Sequence, residues 1–283
     1  MSLPPSRPAD ITAYLAAPTP AETEFRCLFR PAAVRTVCDI GACEGEDSVR
    51  FARCFPRARI FAFEPLPSNQ ALVRANFSRY AAANAELVPL ALSDRAGTAT
   101  FHVSSGRPPE LFAGQNWNYG NKSSSLLPAA GNGPMHGWIE FKEEIAVTTD
   151  TLDAFCARRG IGRIDLIHLD VQGAEQLVLN GATRMLPRTA GVWLEVAAVE
   201  LYRGQALDRD LTRFMRAQGF ALGHTVSLGS DTGEGDHFYV NLRHPRAWLY
   251  LARRRGAAAA RRARMAAGRW KHRLLGPRPP SAP

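Results

Sequence analysis

Short apolar runs of strand length alternate with amphipathic stretches along most of the chain, and this alternation constrains the fold more than any other feature. The apolar runs lie at residues 34–40, 59–63, 86–90, 98–103, 145–148, 164–169 and 191–196. Helical periodicity is found at residues 47–54, 68–80, 151–158, 174–181 and 208–218, with Ser68 as the expected N-cap of the second of these helices. Because strand and helix units alternate, the sequence predicts an α/β fold with a mostly parallel sheet between helices. Two final runs, 220–226 and 237–242, predict a closing hairpin.

The positive charge of the chain is concentrated near its C-terminal end. Residues 243–283 contain twelve Lys and Arg and no Asp or Glu, whereas residues 1–242 contain 23 basic and 26 acidic residues. We therefore expect an N-terminal extension at 1–33, one α/β domain at 34–242 and a basic Arg/Ala-rich tail at 243–283. Five cysteines without a Cys-x-x-Cys pair indicate neither a disulfide framework nor a structural zinc site. No window has the roughly 18 apolar residues that span a bilayer, and no signal-peptide core is present, so we expect a cytoplasmic location.

Two glycines follow the first strand, in the string CDIGACEG that contains Asp39, Gly41, Ala42 and Gly45. Backbone without side chains lets a ligand lie close to the main chain at the carboxyl edge of the sheet, where such folds bind ligands. The spacing differs from Gly-x-Gly-x-x-Gly, so a dinucleotide site is not predicted. A tight turn with close helix and strand packing explains the two glycines equally well.

Acidic residues also follow the second and third strands. Glu64, which precedes Pro65, ends the second strand at the place where a carboxylate holds ribose hydroxyls in folds of this class. Ser93 and Asp94 follow the third strand, and Asp94 is placed to hydrogen-bond an adenine ring, although Asp-x-x-Gly is also good turn chemistry. Together with Asp39, these acids fit an adenosine ligand without phosphates. The sequence has no Gly-x-x-x-x-Gly-Lys loop for ATP hydrolysis.

Several separate strings between residues 34 and 242 resemble the FkbM family of S-adenosylmethionine-dependent methyltransferases. They are CDIGACEGEDS, FAFEPLPSNQALVRAN, PLALSDRAGTATF, GNKSSSL, TTDTLDAF, IDLIHLDVQGAEQLVLNGA, VWLEV and ELYRGQ. The resemblance implies a class I methyltransferase fold, which is a Rossmann-like three-layer sandwich with a seven-stranded sheet. It places S-adenosylmethionine between the Gly41 to Gly45 turn, Glu64 and Asp94. The chain departs from the family pattern at His168, where lysine is common, and at Gln172, where glutamate is frequent.

The LDVQGAE segment brings candidate catalytic side chains to the carboxyl edge of the sheet. The period of two along a strand places His168 and Asp170 on one face, and Glu195 ends the next strand on the same rim. His168 or Asp170 could act as the general base that takes the proton of an acceptor hydroxyl. Asp170 and Glu195 could instead hold a Mg²⁺ ion that acidifies hydroxyl groups, and His168 could be a satisfied buried histidine. We favour base catalysis and assign no metal ligand.

Residues 104–142 lose helix and strand periodicity and predict an acceptor-binding loop or lid. This loop carries aromatic, amide and hydroxyl groups suited to a sugar, among them Asn116, Trp117, Asn118, Tyr119, Asn121, Lys122 and three serines. A flexible insertion is the alternative. Residues 245–275 combine arginines with tryptophans and could form a basic helix on an anionic membrane, bind nucleic-acid phosphates or remain a solvated extension.

The resemblance to the FkbM family implies an S-adenosylmethionine-dependent O-methyltransferase that acts on a carbohydrate, lipid-linked or within a surface glycan, or on a secondary metabolite. The expected partner is a small-molecule or glycan acceptor, without a specific nucleic acid. Contact with the inner membrane face is expected if residues 245–275 bind lipid. A nucleic-acid methyltransferase that uses the basic tail is one alternative, and a non-catalytic cofactor-binding module of the same fold is another.

Overall fold

The structure is a computed structural model that describes residues 10–106, 119–131, 137–229, 233–257 and 259. Its strands are β1 (Thr36–Ile40), β2 (Arg59–Phe63), β3 (Ala85–Val88), β4 (Ala91–Leu92), β5 (Gly97–Ser105), β6 (Glu140–Asp150), β7 (Ile164–Leu169), β8 (Thr189–Val196), β9 (Phe220–Ser227) and β10 (Gly235–Asn241). Its helices are α1 (Thr12–Ala16), α2 (Pro20–Leu28), α3 (Glu46–Cys54), α4 (Pro67–Arg79), α5 (Leu152–Arg158), α6 (Glu175–Asn180) and α7 (Asp208–Ala217), followed by a C-terminal helix at 247–257. The predicted loop residues Asn116, Trp117 and Asn118 lie outside the described residues.

Seven strands form one sheet in the order β3-β2-β1-β7-β8-β10-β9. The first five of these run parallel, and β10 is antiparallel to both β8 and β9. The predicted mostly parallel seven-stranded sheet with a closing hairpin is therefore confirmed. Ile40 pairs with Phe63 on one side and with Leu169 on the other, so three carboxyl strand ends lie side by side. Strand order reverses at β1, and ligands bind at such a reversal in open α/β sheets.

A second sheet of three strands, in the order β4-β6-β5, lies outside the predicted pattern. Its strand β6 begins at Glu140, five residues before the predicted strand at 145–148. The extra residues include Lys142, Glu143 and Glu144, which are exposed. Because this part of the ribbon faces solvent, its sequence has no apolar run that would indicate a strand.

Helix α4 begins at Pro67 with Leu66 as its N-cap, so the predicted N-cap at Ser68 is wrong. Proline suits the first helical position because its φ is already fixed there and its missing N–H would have no helical partner. Pro67 therefore starts the helix before Ser68 is reached.

Apolar side chains cover both faces of the central sheet. On one face, the ring of Phe25 from α2 lies 5.8 Å from Trp193 and 5.4 Å from Phe238. Tyr250 of the C-terminal helix packs beside Phe238 and donates a hydrogen bond to Glu24. Residues from both predicted flanking segments, 1–33 and 243–283, thus contribute to the core of the domain.

Candidate active site

A cleft that is open to solvent lies at the carboxyl ends of β1, β2 and β7. The predicted site residues that line it are Asp39, Gly41, Ala42, Glu64, Pro65, His168 and Asp170. Parallel pairing in register brings the residues that follow these three strands to one edge, which is why side chains distant in sequence meet there. Gly45, Ser93, Asp94 and Glu195 are not among the residues that line it.

The turn after β1 requires glycine because two backbone segments meet there. Gly41 has a φ of +87°, and a Cβ at this position would lie 1.7 Å from the carbonyl oxygen of Asp170. Gly45 has a φ of +78° and is the N-cap of α3, where it packs against Phe77 and Val73. Gly41 therefore lets the Asp170 segment approach the turn, while Gly45 serves the start of the helix.

Glu64 is a buried carboxylate fixed by two backbone donors. Cys43 N–H donates to Oε2 and Leu66 N–H donates to Oε1, each at 2.8 Å. Burial raises the pKa of Glu64 to about 8, against the opposing effect of these two hydrogen bonds. A carboxylate has about four acceptor positions, so capacity remains for donors that enter the cleft.

The wall of the cleft after β3 is apolar. Leu90, Ala91 and Leu92 line it, and their side chains offer a surface on which an aromatic ring can pack. The neighbouring Ser93 uses its backbone N–H to bond Asp150 O at 2.8 Å. Asp94 forms an ion pair with the exposed Arg95 at 3.1 Å. The assignment of Ser93 and Asp94 to a cofactor remains a prediction.

His168 lines the cleft and belongs to a largely buried ionic network. Its Nδ1 atom lies 2.9 Å from Asp39 Oδ1, and its ring packs edge-on against Phe51. Burial would lower the pKa of His168, but the hydrogen bond to Asp39 and the charges of Asp47 and Asp39 raise it to about 10. His168 is therefore a cation at neutral pH, and it cannot take a further proton in that state.

A glutamine joins the two carboxylates that the sequence predicts on the catalytic rim. Gln172 Nε2 donates to Asp170 Oδ1 at 2.8 Å and to Glu195 Oε2 at 2.9 Å, and Tyr202 donates to Gln172 Oε1 at 3.1 Å. Gln172 adopts a φ of +55°, which is uncommon for a residue with a side chain. Burial and the charge of Asp170 raise the pKa of Glu195 well above its ordinary value. The Gln172 amide therefore orients Asp170.

Nearby, Glu175 accepts hydrogen bonds from the N–H groups of Val171 and Gly173, at 3.2 and 3.1 Å. This buried carboxylate holds the turn that carries Gln172. Within the described part of the chain, no group of three or more His, Cys, Asp or Glu side chains has an arrangement that could hold a metal ion.

Sequence analysis missed several polar residues of the cleft. Asp47 and Glu46, from the first turn of α3, line the cleft, and so does Asn69 from α4. Asn121 and Lys122 of the predicted acceptor loop also lie here, where Lys122 Nζ is 2.6 Å from Glu46 Oε1. Acidic residues directly after the glycine turn were the available signal for Asp47 and Glu46. No local sequence signal indicated the position of Lys122, because it depends on a contact with Glu46, which is 76 residues away in the sequence.

Comparison with known proteins identifies a family over this same region. The sequence model of the methyltransferase FkbM domain matches residues 39–222. The 2-O-methyltransferase NoeI of Sinorhizobium fredii is 35% identical over 169 residues, which cover 60% of this chain and 66% of NoeI. The 31-O-demethyl-FK506 methyltransferase FkbM of Streptomyces tacrolimicus is 29% identical over 199 residues, which cover 66% of this chain and 72% of that protein. The chain thus spans about two thirds of the length of these relatives.

Two solved structures are also similar to the chain. Magnesium protoporphyrin IX methyltransferase ChlM from Synechocystis PCC 6803, with bound S-adenosylmethionine, has 14% identity and a TM-score of 0.42, covering 78% of this chain and 76% of ChlM. An rRNA methylase from Streptococcus thermophilus has 10% identity and a TM-score of 0.45, covering 79% of this chain and 95% of that one. The family match itself spans more than half of the chain and includes the glycine turn, Glu64 and Asp170. The chain therefore belongs to the FkbM family of methyltransferases, as its motifs predict.

Proposed function

We propose that this chain is an S-adenosylmethionine-dependent O-methyltransferase whose acceptor is a hydroxyl group of a carbohydrate or secondary metabolite. The observation that carries the proposal is a single cleft lined by both Glu64, a buried acceptor for ribose hydroxyls, and Asp170, a candidate base for the acceptor hydroxyl. Two similar proteins, a 2-O-methyltransferase and a 31-O-demethyl-FK506 methyltransferase, support transfer to oxygen.

The charge of the cleft fits a cationic nucleoside. Its lining contains two basic side chains, Lys122 and His168, against five carboxyl side chains: Asp39, Glu46, Asp47, Glu64 and Asp170. Because burial raises the pKa of Glu64 to about 8, that group is mostly neutral at pH 7, and the other four carboxyl side chains still outnumber the two cations. An acidic cleft attracts a cofactor that carries a sulfonium and an ammonium group. Glu64 would hold the ribose hydroxyls, and Leu90 and Leu92 would pack against the adenine.

The protein has two tasks in the proposed reaction. When bound, S-adenosylmethionine supplies a methyl group that is already activated by the positive charge on sulfur. The chain must align the acceptor hydroxyl with that methyl group and receive the hydroxyl proton. We assign proton acceptance to Asp170, which is half-buried, lines the cleft and is oriented by the Gln172 amide. Glu195 accepts a second hydrogen bond from the same Gln172 amide group, so we assign it to positioning the base.

His168 has a different role in this proposal. Because its pair with Asp39 keeps it protonated, we assign it to charge balance beside Asp39 and Asp47 rather than to proton transfer. Ser124 and Leu126, from the part of the predicted acceptor loop that the structure describes, line the cleft and are proposed to contact the acceptor.

A lipid-linked acceptor is favoured by the C-terminal helix. Trp248 and Leu249 are 63% and 50% exposed, while Tyr250 and Leu251 anchor the helix to the domain. Twelve basic residues and no acidic residue occur at 243–283. Exposed tryptophan and leucine beside arginines suit the surface of an anionic bilayer. Among the described residues, no helix is long and apolar enough to cross a membrane.

Sedimentation with vesicles tests the lipid proposal. We expect binding to vesicles that contain phosphatidylglycerol, less binding to pure phosphatidylcholine, and loss of binding in Trp248→Ala/Leu249→Ala. Equal sedimentation of the variant and the wild type would remove this surface from the proposal, and binding to RNA or DNA instead would favour a nucleic-acid acceptor.

Calorimetric titration tests the cofactor. We expect saturable binding of S-adenosylmethionine and none of NAD, since the glycine turn lacks the dinucleotide spacing. Binding of NAD alone, or of neither compound, would contradict the proposed function.

A further inference from the structure

Polar side chains from three segments meet beside the turn after β1. Lys122 Nζ lies 2.6 Å from Glu46 Oε1 and 3.8 Å from Cys43 Sγ. The amide of the adjacent Asn121 donates to Asn69 Oδ1 at 2.7 Å. All of these residues line the cleft. The segment at 119–131 therefore closes the cleft above the start of α3.

Two acceptor atoms in this group have no hydrogen-bond partner within the part of the chain that the structure describes. They are Glu46 Oε2 and Asn121 Oδ1, and both are buried. Asn121 is 8% exposed, and the side chain of Glu46 is 12% exposed. A buried acceptor left without a donor costs about 1–3 kcal/mol. Two such atoms in one cleft are therefore available as acceptors for the donors of a bound molecule.

The same group also offers a fixed positive charge. Burial would lower the pKa of Lys122, but the carboxylate of Glu46 raises it above its ordinary value, so Lys122 is charged at neutral pH. Burial raises the pKa of the Cys43 thiol as well, which leaves the thiol neutral. An ammonium group is thus bound to the carboxylate of Glu46, whose second oxygen lacks a donor, and the adjacent residue Asn121 carries the other acceptor without one.

A zwitterionic amino acid has groups complementary to this arrangement. Its ammonium has three donors, and its carboxylate is the natural partner of a lysine. The cofactor of the proposed reaction carries such a group at its methionine end. The neighbouring Glu64 is already suited to the ribose. Cys43 contacts both places, because its N–H donates to Glu64 and its Sγ lies 3.8 Å from Lys122 Nζ.

We infer that Lys122, Glu46 and Asn121 form the subsite for the amino-acid end of the cofactor. Lys122 binds the carboxylate, and Glu46 Oε2 and Asn121 Oδ1 accept hydrogen bonds from the ammonium group. This inference rests on the proposed function, because it requires S-adenosylmethionine to occupy the cleft. It assigns Asn121 and Lys122 to the cofactor, whereas their sequence context predicts contact with the acceptor.

Two ligands separate the subsite from the rest of the cofactor site. S-adenosylhomocysteine carries the complete amino-acid end, and 5′-methylthioadenosine has the same nucleoside and thioether without it. By calorimetry, we expect Lys122→Met to weaken S-adenosylhomocysteine binding by about 10- to 100-fold, the range for a lost hydrogen bond to a charged group. Binding of 5′-methylthioadenosine should change by less than about twofold.

Three further variants serve as controls. Lys122→Arg keeps the charge and should retain most of the affinity for S-adenosylhomocysteine. Glu46→Gln removes the negative charge of the acceptor and should weaken the binding of S-adenosylhomocysteine but not that of 5′-methylthioadenosine. This variant tests the inference independently if Lys122→Met does not fold. Lys142→Met removes an exposed lysine that is paired with Glu140 in the same way and should change neither ligand.

The outcomes distinguish this inference from the proposed function. Equal weakening of both ligands by Lys122→Met and Glu46→Gln would overturn the inference and show that the Lys122–Glu46 pair only fastens the loop to α3. Unchanged affinity for both ligands would overturn it as well. A wild-type protein that binds neither ligand would contradict the proposed function itself.

Discussion

His168 and Asp39 form an ion pair between adjacent strands, with His168 Nδ1 2.9 Å from Asp39 Oδ1. The register of β1 and β7 places the two residues directly opposite each other. Ser48 donates to the second oxygen of Asp39, and Tyr14 from α1 donates to the nearby Asp47. His168 therefore supplies the positive charge between two carboxylates at the cleft wall.

Replacing this cation should destabilise the fold. His168→Gln leaves Asp39 without its ion-pair partner, and loss of one partner from a buried pair costs about 3–5 kcal/mol. His168→Lys, which keeps the charge, should cost less. Urea unfolding of the three proteins at neutral pH measures the difference. Equal stability of His168→Gln and the wild type would show that the pair contributes no net stability.

The pH dependence of that difference has a defined sign. The pKa of His168 rises from 6.5 to about 10 on folding, so its contribution is complete below pH 6.5 and is lost as the pH rises towards 10. The stability gap between the wild type and His168→Gln should therefore shrink from pH 6 to pH 10. A gap that widens with pH would mean that His168 is neutral in the folded protein.

Cofactor binding should depend on the ionisation of Glu64. Because burial raises its pKa to about 8, the carboxyl group is mostly protonated at pH 6, and only the ionised form accepts both ribose hydroxyls. The affinity for S-adenosylhomocysteine should increase from pH 6 through pH 8 and level off only above pH 8, once Glu64 is fully ionised. Glu64→Gln should bind about 10- to 100-fold more weakly and lose this dependence. Glu86→Gln, at a half-exposed carboxylate outside the cleft, is the control.

Gly41 should tolerate no side chain. Gly41→Ala combines a φ of +87° with a Cβ 1.7 Å from Asp170 O, whereas Gly204→Ala has a similar φ of +80° with nothing within 4 Å. Strain at φ alone costs about 1–3 kcal/mol, and overpacking adds about as much again. Thermal unfolding should therefore show a clearly larger loss for Gly41→Ala. Similar losses in both variants would mean that the Asp170 segment moves away at little cost.

Much of the fold follows from local sequence pattern. The strands Arg59–Phe63 and Ile164–Leu169 were predicted to the residue, because buried parallel strands are continuous apolar runs bounded by turns. Strand β6 was underestimated, because a two-stranded ribbon in solvent needs no apolar run. Ser68 was taken as an N-cap from its residue type, but the preceding Pro67 sets the helix start.

The cleft residues that directly follow strands were more predictable than those contributed by the segment at 119–131. Glu64 follows a strand directly, so its position depends only on strand pairing. Asp94 follows a strand too, but it pairs with Arg95 outside the cleft lining. Lys122 and Asn121 reach the cleft through contacts across 76 and 52 residues, which no local pattern encodes. The ionic state of His168 likewise depends on Asp39, which is 129 residues away.

Methyl transfer to a hydroxyl group tests the central claim most directly. The wild type and Asp170→Asn are incubated with S-adenosylmethionine labelled in its methyl group and a panel of glycosides and polyols, and labelled methyl ethers are quantified. We expect ether formation by the wild type and a decrease of about 10²- to 10⁴-fold in Asp170→Asn, the range for a lost general base, with S-adenosylhomocysteine affinity changed by less than about twofold. Equal turnover in Asp170→Asn would remove Asp170 from the mechanism. A wild type that binds the cofactor but methylates no hydroxyl in the panel would contradict the proposed activity.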